Sequence, residues 1–362
     1  MKIGIDARMW KVGGIGRYVE QLVLNLEEVD KNNEYVIFLK KENFDSYNPK
    51  NKNFTKEIAN FHWYGLAEQI LFPLKLRKFK FDLVHFPHFN IPILYRGKFI
   101  VTIHDIIILK FPTLRATTLT PRKYKIKKKV LEFIIKTAIK RSKKVITISE
   151  FTKNEVCKYF SLKDKYKDKM TIIYEGYTKL DKTGIRKTKL KDNYCIYVGS
   201  AYPHKNLDKL CEAFKGIDGL RLVLVGKKDY FYERLEEEYK ELIQQKKIVL
   251  TGFLEDEELS VLMKNAKFFV FPSLYEGFGL TPLEAMQYGT PILSSNKSCM
   301  PEILRDSVAY FDPTSPIYIR DAINKFKDDI EKQNKYKLKG FLFYRRYSWN
   351  QCARETLMTY EL

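Results

Sequence analysis

Apolar positions along this chain fall into short continuous runs, separated by stretches where they recur every third or fourth residue. Lys2–Ala7, Glu34–Leu39, Phe81–Phe86, Phe99–Ile103, Lys144–Ile148 and Met170–Tyr174 have the length and content of buried strands. Arg17–Leu26 and Pro121–Lys144 carry a helical period; in the second, Ile126, Val130, Phe133/Ile134 and Ile139 are predicted inward and the lysines outward. Residues 41–60 read as polar and irregular. Residues 178–192 lose all periodicity and read as a linker. The pattern then restarts, with strands at Tyr194–Val198, Leu220–Val225, Ile248–Gly252, Phe268–Phe271, Pro291–Ser294 and Ala309–Phe311. Helices are expected at Asn206–Lys215, Phe231–Gln245, Asp256–Asn265 and over most of 316–362. Strands alternating with helices predict α/β architecture, with parallel sheets covered on both faces. Two doubly wound halves predict a ligand cleft between them, at the carboxyl ends of the strands.

The most informative stretch is 268–291, FFVFPSLYEGFGLTPLEAMQYGTP. A strand ends at Pro272, Ser273–Gly279 forms a loop with two glycines, and a helix follows. Thr281 is the expected N-cap, Pro282 suits the first helical position, and Glu284 completes a capping box. Free N–H groups at such a helix start favour an anion such as a phosphate. Glu276 and Glu284 bracket the site, and carboxylates accept hydrogen bonds from hydroxyls. Phosphate donors beside hydroxyl acceptors suit a nucleotide sugar. Taken singly, Glu284 is explained as well by capping, and Glu276 as an ordinary loop acid.

Other candidates stand at expected strand ends. In YVGSAYPHKNL, Lys205 precedes a helix and offers a point charge to a diphosphate; a surface lysine beside an Asn206 N-cap is the plainer alternative. Gly13-Gly14-Ile15-Gly16 follows the first strand. A dinucleotide fingerprint needs a third glycine where Val19 stands, so the loop is read as amides facing a phosphate or acceptor, or as a plain tight turn. His104 follows strand 99–103; a lone histidine there is commonly structural, and the functional alternative is a bond to a sugar hydroxyl, with Asp105 fixing the tautomer. His85 and His88 are read mainly as packing or acceptor-rim residues, and Glu302 as structural.

Charge sharpens this picture. The 362 residues carry a net charge of +21, and residues 113–144 hold twelve Lys/Arg against the single acid Glu132. Such a patch is either a solvated face or a sign of an anionic partner: a membrane surface, nucleic acid or an acidic glycan. The cysteines, Cys157, Cys195, Cys211, Cys299 and Cys352, are scattered and form no C-x-x-C, against a disulfide framework or a zinc site. No signal peptide and no spanning apolar run is read, so a cytoplasmic protein is expected, peripheral at most on the inner face of the membrane. No D-x-D stands at an expected strand end, so no metal is expected, and no cofactor.

These strings in this order resemble the family 4 retaining glycosyltransferases, of GT-B fold: two Rossmann-like domains facing a central cleft. The likeness runs through KIGIDARMW, GGIGRY, TIHD, VITISEFT, YVGSAYPHKNL, the E-x7-E block, PEI and YSWNQCARETL. It implies an acceptor domain at 1–177, a linker at 178–192, a nucleotide-sugar domain at 193–340, and a helix at 341–362 returning to the first domain. It implies that Glu284 holds the ribose and that Glu276 and His104 touch the donor sugar. Lys205 and the Gly14 loop would meet the phosphates, with His204 and the amides of Gly277, Phe278, Gly279, Leu280 and Thr281 nearby. Two positions depart from the family pattern: His204 stands where Arg is frequent, and Glu175-Gly176 where Asn-Gly is usual. The implied reaction moves a hexose, with mannose the leading choice, from a GDP- or UDP-sugar to a glycan or lipid-linked acceptor in cell-surface polysaccharide or glycolipid biosynthesis. The alternatives are another GT-B enzyme, such as a phosphorylase or sugar-nucleotide epimerase, and a basic nucleic-acid-binding protein. Nucleic acid is not the expected partner, because no zinc finger, RNA-recognition signature or helix-turn-helix is read.

Overall fold

The computed structural model describes residues 1–111, 121–177 and 193–361. The expected linker, 178–192, and the start of the basic segment, 113–120, lie outside the described residues. The chain divides into two compact units. Unit 1 takes in Met1–Lys110, Thr118–Gly176 and Ser348–Leu362; unit 2 takes in Phe111–Thr117 and Tyr177–Tyr347. The chain re-enters unit 1 at Ser348, later than the 341 suggested by the sequence, because a helix continues to Phe343 with Gly340 and Phe343 buried inside unit 2.

Unit 1 runs β1 (Lys2–Asp6), α1 (Gly13–Val29), β2 (Glu34–Leu39), β3 (Phe54–Ile58), α2 (Leu66–Arg77), β4 (Leu83–Phe86), β5 (Phe99–Ile103), α3 (Ile107–Lys110), α4 (Pro121–Arg141), β6 (Val145–Thr147), α5 (Glu150–Tyr159), α6 (Asp164–Lys167) and β7 (Met170–Ile172). Its seven strands lie in the order β3-β2-β1-β4-β5-β6-β7, and each recorded pair is parallel. Unit 2 runs β8 (Tyr194–Val198), α7 (Leu207–Phe214), β9 (Arg221–Val225), α8 (Tyr230–Glu238), α9 (Lys240–Gln244), β10 (Ile248–Gly252), α10 (Asp256–Asn265), β11 (Phe268–Phe271), α11 (Leu280–Met286), β12 (Ile292–Ser295), α12 (Met300–Leu304), β13 (Ala309–Phe311), α13 (Pro316–Lys327) and α14 (Ile330–Phe343). Its six strands, also paired in parallel, lie in the order β10-β9-β8-β11-β12-β13. The last helix, α15 (Trp349–Glu361), belongs to unit 1 and packs on α1.

The parallel strands read as continuous apolar runs because helices cover both of their faces. Three differences from the sequence reading have physical causes. β3 lies within 41–60, where irregular chain is expected; FTKEI is polar because it is an edge strand with only Phe54 buried. The helix expected over Phe231–Gln245 breaks at Tyr239, whose ring is buried and whose hydroxyl donates to Asp208 O at 2.9 Å. On α4 the buried stripe is Leu131, Ile134, Ile135, Ala138 and Ile139. Ile134 and Ile139 are buried as expected, but Ile126, Val130 and Phe133 are 64%, 51% and 60% exposed, because they lie off the face that carries the buried stripe.

Besides its packing on α1, α15 is bound into unit 1 by specific contacts. His85 Nδ1 on β4 meets Tyr360 Oη at 2.8 Å. Gly176 lies so close to the Trp349 backbone that a Cβ has no room there.

A buried ion cluster closes the carboxyl end of β1. Arg8 Nη2 pairs with Asp6 Oδ2 and Glu68 Oε1, each at 2.7 Å, and its guanidinium lies 4.2 Å from the centre of the Phe72 ring. Asn90 Nδ2 adds a hydrogen bond to Glu68 at 2.8 Å. Removing the cation alone would strand two buried carboxylates. Arg8→Met is therefore expected to cost roughly 3–5 kcal/mol, read as a lowered urea midpoint; a loss under about 1 kcal/mol would refute the cluster's structural role.

Candidate active site

In each sheet the strand order reverses beside the first strand: between β1 and β4 in unit 1, and between β8 and β11 in unit 2. Loops leaving the carboxyl ends of strands at such a reversal splay apart and leave room for a ligand.

In unit 2 these loops carry the candidate donor-binding residues. After β8 the chain makes one tight turn at Pro203–Lys205 and then takes a left-handed backbone at Asn206, φ 63°. Asn206 does not cap α7 with its side chain, as the sequence reading had it. Its amide donates to Pro272 O at 3.1 Å and Pro313 O at 2.9 Å, stitching three loops together. Leu274 N donates to His204 O at 2.8 Å, and Glu276 N to Ser298 Oγ at 3.2 Å. Lys205 and Glu276 thereby meet: Nζ lies 2.7 Å from Oε1 and 2.8 Å from Oε2, with the two side chains 20% and 8% exposed. His204 is pushed down to about 4, by burial first and then by the Lys205 charge, against a smaller opposing pull from Glu276. It is uncharged at neutral pH, so in this loop the positive charge comes from Lys205.

The start of α11 differs from the expected capping box. Gly279, at φ 87°, is the N-cap, and no side chain caps the helix. Thr281 and Pro282 lie inside the first turn, because the glycine turns the chain into the helix two residues earlier. No other residue suits this position: φ is left-handed, and a Cβ would lie 2.5 Å from Met300 Cε. Gly279, Leu280 and Thr281 are half-buried, whereas Glu276, Gly277 and Glu284 are buried. Phe278 is buried with its ring edge-on to Tyr347 at 5.3 Å, leaving its backbone as the part that can serve a ligand.

In unit 1 the Gly13–Gly16 run is the first turn of α1 itself. Gly16 lies against backbone, with Met9 O 2.5 Å from the place of a Cβ, while nothing lies within 4 Å of that place on Gly14. His104 follows β5. Its Nδ1 lies 3.1 Å from Glu175 Oε1 and its Nε2 2.8 Å from Pro87 O. Asp105, expected to fix the His104 tautomer, instead accepts from Ile107 N at 2.8 Å and starts α3. Glu175 is the carboxylate that meets Nδ1; its only trace in the sequence is the departure from Asn-Gly. His85 is buried between Tyr360 and Thr102, and its ring is pushed down to about 3 by burial, then by the His104 charge. His88 accepts from Asn90 N at 3.2 Å and is pushed down to about 3 by the same two causes. Both are buried and neutral. Arg8, Glu175, Asn206 and Ser298 were missed as site-building residues, since each acts through a partner distant in sequence.

Residues 12–178 match the family model described as Glycosyltransferase Family 4, and residues 181–341 the model described as Glycosyl transferases group 1. The chain is 28% identical over 291 residues to the O-antigen chain mannosyltransferase RfbU of Salmonella typhimurium, covering 79% of this chain and 77% of that one. It is 26% identical to the O-antigen chain mannosyltransferase B of Escherichia coli, with 96% of each chain covered. Among solved structures, HepE of Anabaena in complex with UDP and glucose superposes with a TM-score of 0.77 at 16% identity, covering 100% of this chain and 99% of that one. Fold and site together define a glycosyl-transfer enzyme built on two Rossmann-like parallel sheets of the GT-B class. The chain belongs to the family 4, group 1 glycosyltransferases. The nucleic-acid, phosphorylase and epimerase alternatives gain no support.

The two glycines of the α1 turn separate fold from ligand. Gly14→Ala is expected to leave the melting temperature within about 2 °C, because its Cβ has open space, while weakening donor binding. Gly16→Ala is expected to lower the melting temperature by several degrees. Unaltered donor binding in a folded Gly14→Ala protein would remove Gly14 from the site.

Proposed function

We propose that this glycosyltransferase moves a hexose, mannose being the leading choice, from a nucleotide diphosphate to a glycan or lipid-linked acceptor, with retained anomeric configuration. The observation that carries the reading is the Lys205–Glu276 pair on the two loops at the strand-order reversal of unit 2. With no diphosphate bound, each charge satisfies the other. An arriving diphosphate takes Lys205 Nζ, which frees the Glu276 carboxylate to accept from sugar hydroxyls. Phosphate binding and sugar recognition are thereby coupled. Backbone amides from Gly277 to Thr281 add donors that need no reorganisation as charge develops on the leaving diphosphate. Glu284 is assigned to the ribose, Gly14 to the phosphates, His204 to the donor by hydrogen bonding, and His104 to the donor sugar. The acceptor oxygen bonds to the anomeric carbon as the bond to the diphosphate breaks, and the acceptor proton passes to the leaving phosphate oxygen. The names of the two bacterial relatives favour mannose and surface-polysaccharide assembly.

A panel of GDP- and UDP-hexoses, scored for released nucleotide, is expected to single out one donor. With that donor, Lys205→Ala is expected to lower kcat about 10²-fold or more, the scale of losing one preorganised charge-stabilising group. Turnover within about threefold of wild type would overturn the phosphate role. Glu284→Ala is expected chiefly to weaken nucleotide binding in calorimetry.

We further propose that unit 1 works against an anionic membrane, on the inner face of which a lipid-linked acceptor would be presented. No described helix is long and apolar enough to cross a membrane, so any attachment by these helices is from one side. Ile126, Val130 and Phe133 share one face of α4, flanked by exposed Lys125, Lys127, Lys129 and Lys136. α2 adds exposed Leu66, Ile70, Leu71 and Leu74. Between these helices, the chain around exposed Leu94 is held by Gln69 of α2, which accepts from Ile93 N at 2.8 Å, and by Arg141 of α4, which donates to Ile93 O at 2.6 Å. Apolar side chains amid lysines suit a surface with anionic headgroups over hydrocarbon, each lysine contributing roughly 1 kcal/mol there. Sedimentation with vesicles is expected to need anionic lipid and to fall about tenfold when Ile126, Val130 and Phe133 are all replaced by Ser. Equal binding to neutral and anionic vesicles would refute it.

A further inference from the structure

Both ring nitrogens of His104 face atoms that accept. Pro87 O is a carbonyl, so Nε2, 2.8 Å away, must carry a hydrogen. Glu175 Oε1, 3.1 Å from Nδ1, accepts as well when its carboxylate is ionised. Satisfying both contacts gives a doubly protonated ring beside a carboxylate. The side chains are 7% and 6% exposed, so water screens neither group effectively. We infer that Glu175 is a positioning residue that holds His104 as the imidazolium during sugar transfer, so that His104, with both N–H groups donating to Glu175 and Pro87 O, serves as a fixed positive charge and has no lone pair with which to take the acceptor's proton.

The groups around the ring agree with this. Tyr18 approaches edge-on, with ring centres 4.6 Å apart, and burial pushes its hydroxyl well up, keeping it neutral. His85 and His88 are held neutral by burial and by the His104 charge itself. Asp105 adds a second negative charge, and Thr152 Oγ1 donates to His104 O at 3.0 Å, fixing the backbone that carries the ring. Burial works against charge on His104, but the Glu175 hydrogen bond and charge, then Pro87 O and Asp105, outweigh it and hold the ring above its ordinary value. A residue with a neutral amide at 175 would offer an acceptor without the charge.

The sign of the pH dependence follows. The imidazolium persists below its raised pKa and is lost as pH rises through it, so activity that needs the cation falls on the alkaline side. A general base would give the opposite limb, rising through the same midpoint. The contribution of the pair to stability has the same sense: full below the unfolded histidine value, fading as pH climbs through the folded one.

This inference rests on the reading of His104 as a donor-side residue, and the test separates the two. The His104 ring titration is followed by NMR in protein labelled at its five histidines, assigned with His104→Gln, in wild type and in Glu175→Gln. The expected wild-type midpoint lies above the ordinary histidine value, and Glu175→Gln should lower it by about one pH unit or more. The alkaline limb of kcat/KM should move down by the same amount, while Glu175→Asp keeps both high. An unchanged midpoint in Glu175→Gln, or an activity limb that rises through it, overturns the proposal. Should Glu175→Gln fail to fold, a wild-type midpoint at or below about 6.5 overturns it alone. Should no nucleotide sugar be turned over, the function fails while the ring titration still decides the charge state.

Discussion

Parallel sheets must be covered on both faces, and that constraint arranges everything else in this chain. A sheet wrapped in this way has no free face for chemistry. What remains accessible is the rim where strands hand over to loops, and it is widest where successive connections depart in opposite directions. Lys205, Glu276, Gly14 and His104 all stand on such rims. The rims in turn need internal fastening, because loops do not hold buried charges in place by themselves. Asn206 fastens three loops in unit 2, and the Arg8 cluster fastens the end of β1 in unit 1.

The fold was legible because its strongest forces are local and periodic. Apolar runs such as Phe268–Phe271 and Leu222–Val225 can only be buried strands once helices flank them. β3 escaped because an edge strand needs only one buried residue, which leaves no run to see. The stripe on α4 was right at Ile134 and Ile139 and wrong at Ile126 and Val130 for a related reason. This helix has apolar residues on two faces, and the choice between them is made by the sheet beneath, which no local spacing encodes.

The site was legible in part. Lys205, Glu276 and Glu284 lie in motifs short enough to read, and the resemblance to a known family gave them roles. The pairing of Lys205 with Glu276 was not readable, since 71 residues separate them and each looks like a free ligand group on its own. The same holds for His104 and Glu175, also 71 residues apart. Side chains that tune a catalytic group carry no spacing signature of their own, so they emerge only when the fold brings them together. The capping box failed differently: its residues are present, but a left-handed glycine upstream sets where the helix begins.

The return of α15 to unit 1 has a consequence for synthesis on the ribosome. His85 is translated 275 residues before Tyr360, its hydrogen-bonding partner. At typical elongation speeds that interval is on the order of tens of seconds. Throughout it, the groove on α1 that α15 will fill stays open on the nascent chain, while unit 2 is already emerging. The half of the molecule that is made first is therefore completed last.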